Sequence, residues 1–102
     1  SFIRFTDTRR FRKNRLLFSN PASKARNRLT VRISYDEGKT WPLEKILNAG
    51  PAAYSNLAVL ADHSIGNLYE RGEKNAYETI TFARFELGWL TDGKDEWTWL
   101  AN

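Results

Sequence analysis

Arginines, a few tyrosines, scattered carboxylates and one histidine are the residues here that can do chemistry, and their types narrow what it is. The chain has no cysteine, which removes disulfides, thiolate nucleophiles and cysteine-based metal sites. His63, the one histidine, is too few for a zinc site of the usual multi-histidine kind. No motif supplies the serine and aspartate that a hydrolase triad needs beside it. Asp62-His63-Ser64 reads instead as a turn. Arg9-Arg10-Phe11-Arg12-Lys13-Asn14-Arg15 places five basic residues in seven, which raises nucleic acid as a partner. A run of charge is more often a solvated loop, so that reading is the weaker one. Arg26, Arg28 and Arg32 follow. A guanidinium fork binds a carboxylate through two parallel hydrogen bonds and stays charged at any working pH. A free tyrosine has a pKa near ~10, so it becomes a nucleophile only with a base beside it. Read bare, Tyr54 is a packed tyrosine at a strand start.

The elements that must position these residues are short strands. With 102 residues the chain allows one small domain. Its hydrophobic share of 41% and aromatic share of 14% are enough to bury a core. Alternation and turn residues predict strands at Phe2–Thr6, Arg15–Ser19, Leu29–Ser34, Trp41–Leu47, Tyr54–Leu60, Ile65–Glu70 and Thr79–Phe85. Asn20-Pro21-Ala22-Ser23 and Asn48-Ala49-Gly50-Pro51 read as breaks. Leu87 to Leu90 reads as the start of a short helix stopped near Gly93. Tyr77 and Glu78 read as packing and surface residues. Strands about every ten residues, with no long helix, predict an all-β sandwich, barrel or propeller. No apolar run approaches the ~20 residues of a membrane helix. The absence of methionine suggests a processed piece or a fragment. The net charge of +4 hides an asymmetry: residues 1–32 sum to +9 and residues 33–102 to −5.

One motif selects among these architectures. Ser34-Tyr35-Asp36-Glu37-Gly38-Lys39-Thr40-Trp41 fits Ser-x-Asp-x-Gly-x-Thr-Trp. Asp36 can turn back onto following backbone N–H groups, Gly38 can supply a positive φ, and Trp41 can cover the hairpin. Residues 34–41 resemble the Asp-box of sialidases and other β-propellers, where the box sits at an outer turn away from the active site. Asp36 is therefore a poor candidate for a catalytic acid.

The surrounding segments extend the resemblance. Leu16-Leu17-Phe18-Ser19-Asn20-Pro21, Arg26-Asn27-Arg28-Leu29-Thr30-Val31-Arg32, Gly50-Pro51-Ala52-Ala53-Tyr54-Ser55 and Gly66-Asn67-Leu68-Tyr69-Glu70 occur in that order. From about Arg15 to Leu90 the chain resembles the C-terminal part of an exo-α-sialidase. The resemblance implies antiparallel four-stranded blades, about two of the six in a sialidase-like β-propeller. It implies retaining hydrolysis of terminal sialic acid from glycoconjugates, with no cofactor and no metal. Tyr54 matches the nucleophilic tyrosine. Sialic acid carries a carboxylate on its anomeric carbon, which repels an Asp or Glu nucleophile but not a neutral phenol. Arg26 matches the third member of the arginine triad that grips that carboxylate, with Arg28 and Arg32 as competitors. Glu70 matches a glutamate that holds the first triad arginine, ahead of the alternative that it is the base.

The other triad arginines, the Asp acid/base and the Glu that activates the tyrosine match nothing in these residues. A blade needs ~40–45 residues, so the chain holds little more than two. The partners implied are a sialylated glycoconjugate and the remaining blades of a longer protein, with no nucleic acid and no membrane segment. The isolated chain is expected not to hydrolyse sialosides. The alternative is a non-catalytic carbohydrate-binding or interaction propeller that keeps the Asp-box; retention of both Arg26 and Tyr54 speaks against it.

Overall fold

In a computed structural model of the chain, residues 1–21, 27–72, 74 and 79–100 are described. Six strands run in chain order: β1 Phe2–Thr6, β2 Arg15–Pro21, β3 Asn27–Ser34, β4 Leu43–Val59, β5 Ile65–Arg71 and β6 Thr79–Phe85. Among the described residues one short helix, α1, spans Leu87–Leu90. Each strand pairs antiparallel with the next, giving the order β1-β2-β3-β4-β5-β6. The architecture is all-β, in keeping with partial propeller blades.

The pairing divides into two sheets that share one strand. The first half of β4 pairs with β3, from Leu43 opposite Ile33 to Pro51 opposite Asn27. Its second half pairs with β5, from Ala52 opposite Arg71 to Val59 opposite Ile65. The expected break at Asn48–Pro51 is therefore a correction: β4 is continuous through it. The breaker residues mark where the strand changes partner. Proline has no N–H to lose there, and the Pro51 carbonyl accepts from Asn48 Nδ2 at 3.2 Å and from the Gly72 N–H at 3.1 Å.

The core lies between the two sheets. Ile3, Leu17, Ile33 and Leu43 sit in one register row on the inner face of the first sheet. Phe5, Leu17, Val31 and Ile33 pack with Leu57, Ile65 and Phe85 of the second sheet and with Leu87 and Leu90 of α1. Period-two alternation in β3 and β5 is what sorts these side chains inward. Asn67 keeps this inward period although it is polar: it is fully buried, and neither of its amide atoms has a hydrogen-bond partner among the described residues.

A buried ion pair ties the C-terminal segment to the β1–β2 hairpin. The Arg15 guanidinium donates to Asp95 from Nε at 2.7 Å and from a terminal nitrogen at 2.9 Å. The Tyr35 hydroxyl donates to the same carboxylate at 2.6 Å. Burial and the adjacent Asp95 carboxylate push the Tyr35 phenol up. Burial raises the Asp95 carboxyl, but hydrogen bonds from Arg15 and Tyr35 more than offset this and leave it lowered.

Candidate functional site

Tyr54 owes its position to a register shift. Ala52 lies opposite Arg71 and Ser55 opposite Tyr69, so Ala53 and Tyr54 together face the single residue Glu70. Two residues against one is a β-bulge, a device that re-aims a side chain and increases the local twist. Ala53 is buried, while Tyr54 is 70% exposed. Tyr35 and Tyr69, by contrast, are half-buried and buried.

Two grooves meet at Tyr54. One, of about 220 Å³, is lined by Tyr54, Asn56, Leu68, Glu70 and Ile80. The other, of about 370 Å³, is lined by Ser19, Asn20, Pro21, Ala53, Tyr54 and Ser55. A 2.7 Å hydrogen bond between the Ser19 and Ser55 hydroxyls stitches β2 to β4 on the floor of this second groove. The bulge, the grooves and the Ser19–Ser55 contact were not legible in the sequence. A register shift leaves no mark on local alternation.

The other site candidates fall as follows. Glu70 is half-buried and shares the first groove with Tyr54. Arg26 lies outside the described residues, as do Tyr77 and Glu78. The chain on either side of residues 22–26 is described: Pro21 lines the second groove, and Asn27 pairs with Pro51, three residues before Tyr54. The competitors Arg28 and Arg32 line a different groove, with Thr30, Glu44 and Ile46. Arg32 there donates from Nε to Glu44 at 2.7 Å.

The Ser34–Trp41 turn closes on itself. Asp36 accepts from the Thr40 N–H at 2.8 Å and from the Thr40 hydroxyl at 2.6 Å. The Ser34 hydroxyl donates to Asp36 at 2.8 Å and accepts from the Gly38 N–H at 2.9 Å. These bonds, led by the Thr40 hydroxyl, hold the Asp36 carboxyl down to about 2. Gly38 has φ +88° and packs under the Trp41 ring. Trp41 in turn meets Phe2 and Phe18, so it covers the hairpin as expected.

His63 sits in its expected turn with φ +62°. Its ring lies between those of Phe5 and Phe11, with centroids 4.6 and 4.7 Å away, and Nε2 meets the Phe5 carbonyl at 2.9 Å. Burial pushes its pKa down. This is a packing role. The basic run at residues 9–15 is not a continuous surface stripe, because the Arg15 side chain is only 2% exposed and is held by Asp95. Among the described residues, no group of three or more histidines and carboxylates is placed to hold a metal ion.

No family model matches the chain. Individual proteins do. The chain is 45% identical over 76 residues to a sialidase of Micromonospora viridifaciens, a match covering 74% of the chain and 11% of that protein. It is 44% identical over 75 residues to Sialidase-3 of Mus musculus, covering 69% of the chain and 18% of that protein. The chain belongs to the sialidase family. A third relative, an exo-alpha-sialidase of Aspergillus fumigatus, is 34% identical over 94 residues, covering 78% of the chain and 23% of that protein. This sialidase-family chain thus spans between 11% and 23% of the length of these three relatives. Sialidases are glycoside hydrolases, so the family relationship is to hydrolases. No helix among the described residues is long and apolar enough to cross a membrane.

Proposed function

We propose that residues 1–102 are the C-terminal part of the propeller of an exo-α-sialidase and carry its nucleophile, Tyr54. The observation that carries this reading is the bulge opposite Glu70. It lifts one tyrosine out of a sheet whose other face is buried, and leaves it exposed between two grooves. A base elsewhere in the longer protein takes the Tyr54 phenol proton as the oxygen attacks the anomeric carbon, the bond to the leaving oxygen breaks, and an acid elsewhere in the longer protein protonates that oxygen. Water then cleaves the tyrosyl–sugar bond, so configuration is retained. Arg26 grips the sugar carboxylate with its guanidinium fork. That the competitors Arg28 and Arg32 line another groove supports this choice. Glu70, beside Tyr54, holds an arginine supplied by the longer chain. The substrate is a sialylated glycoconjugate, and the remaining blades are the chain's structural partners.

Two measurements test this. In the complete enzyme, Tyr54→Phe is expected to lower turnover by roughly a thousandfold or more, with the fold intact. Unchanged turnover rules the assignment out. The isolated 102-residue chain is expected not to hydrolyse a fluorogenic sialoside, because most of the catalytic set lies elsewhere. Robust turnover by it rejects that division of labour.

A further inference from the structure

Strand β2 turns Leu17 and Ser19 inward, toward the second sheet. Both are fully buried, and Ser19 lies opposite Val31 of β3. A serine among such neighbours loses its water, which costs free energy unless its hydroxyl is hydrogen-bonded. The Ser19 hydroxyl is bonded, and its partner is not local. It meets the Ser55 hydroxyl at 2.7 Å, thirty-six residues along the chain and in the other sheet. When Ser19 donates, the Ser55 hydroxyl is left to donate to the Ser19 carbonyl at 3.4 Å, so neither proton is stranded.

Ser55 is the first residue to rejoin the ladder after the bulge, opposite Tyr69. The other end of the bulge is Ala52, opposite Arg71 and packed with Leu29 and Tyr69. Ala53 and Tyr54 arch between these two ends. A bulge leaves one residue without a ladder partner, so its place along the strand is less tightly set than that of a regular pair. A slip by one residue would turn Ser55 outward and carry Tyr54 inward. Packing holds Ala52, whereas a directional bond to the first sheet holds Ser55. Just beyond it, the Leu57 N–H donates to the Ser1 hydroxyl, ahead of β1, at 3.0 Å. Both contacts tie β4 to the first sheet immediately after the bulge.

We propose that Ser19 is a positioning residue for Tyr54: through Ser55 it fixes where the bulge sits, and so where the phenol oxygen stands. This rests on the sialidase reading, in which Tyr54 is the nucleophile. Ser19 is fully buried and touches no substrate itself. An attacking oxygen reacts only from a narrow range of positions, and a misplacement of about 1 Å can cost roughly a hundredfold in rate. Loss of one hold among several displaces the bulge less than that, so a loss of roughly tenfold is expected. The loss falls on turnover and not on substrate grip, because in that reading arginines hold the sugar carboxylate and Tyr54 does not.

Steady-state kinetics of the complete enzyme test this with Ser19→Ala, Ser55→Ala and the double variant. Each single variant is expected to lower kcat roughly tenfold and to keep KM within about twofold of wild type. The double variant is expected to lose no more than either single one, because both remove the same bond. Circular dichroism and the melting temperature check that the variants stay folded. Should Ser19→Ala fail to fold, Ser55→Ala removes the same bond from its half-buried side and decides alone. An unchanged kcat overturns the proposal. So does a rise in KM without a fall in kcat, or a double variant that loses the product of the two single losses. Tyr54→Phe is measured alongside. If it leaves turnover unchanged, the sialidase reading fails and this proposal fails with it. If it abolishes turnover while Ser19→Ala and Ser55→Ala do not lower it, this proposal alone fails.

Discussion

The Ser34–Trp41 turn and the Ala53–Tyr54 bulge are opposites in how they are built. The turn spans eight residues and satisfies Ser34 and Asp36 within itself, Asp36 with Thr40 and Ser34 with Gly38. The bulge exists only because residues 52–55 of β4 meet residues 69–71 of β5 out of step. The turn is conspicuous as a string of letters and does nothing chemical that the structure points to. The bulge is nearly silent in the string and presents the exposed tyrosine. A motif that closes on itself organises a fold. A residue proposed to do chemistry has to be left open, and for Tyr54 the opening comes from pairing between strands.

Substitutions on each side sharpen that contrast. The largest expected effect is on the bulge side. Tyr54→Phe in the complete enzyme removes roughly a thousandfold of turnover, about 4 kcal/mol of transition-state stabilisation, and leaves the melting temperature near wild type. Equal losses of activity and melting temperature would erase the distinction between the two regions.

The next effect falls on the turn side, where Tyr35 joins Arg15 on the Asp95 carboxylate. Asp95→Ala leaves the Arg15 charge buried without its partner, which costs about 3 kcal/mol. In a domain of this size that is a drop of roughly 15 °C in the thermal midpoint. A drop of only a degree or two would mean that the pair does not anchor the C-terminal segment.

The smallest effect is a pH dependence. The Asp36 carboxyl is held down to about 2, first by the Thr40 hydroxyl and then by the Thr40 N–H. A depressed carboxyl contributes stability that is fully present above its unfolded value near ~3.9 and is lost as pH falls through the folded value. Asp36→Ala should therefore lower the thermal midpoint by several degrees at neutral pH. The gap from wild type should close in acid near pH 2. A gap that is constant down to that pH would show that the carboxylate bonds contribute nothing.

Most strands were readable because their causes are local. Alternation in Leu29–Ser34 and Thr79–Phe85 sets which side chains can share a face, and both segments are strands. Asn48–Pro51 misled because glycine and proline weaken any one ladder, whereas here they stand where the strand moves from β3 to β5. Of the candidate site, Tyr54 and Glu70 were nameable from sequence as separate residues. Their meeting at one bulge was not, since fifteen residues and a hairpin lie between them.

The sequence by itself determined the all-β class, the closed turn at residues 34–41 and the absence of cysteine chemistry. These follow from backbone preference and side-chain inventory, which act over a few residues. Only the tertiary structure decided that β4 serves two sheets, that Arg15 is buried against Asp95, and that Tyr54 stands exposed opposite Glu70. Register and burial are properties of pairs of segments, and a pair is set by the free energy of the whole sheet.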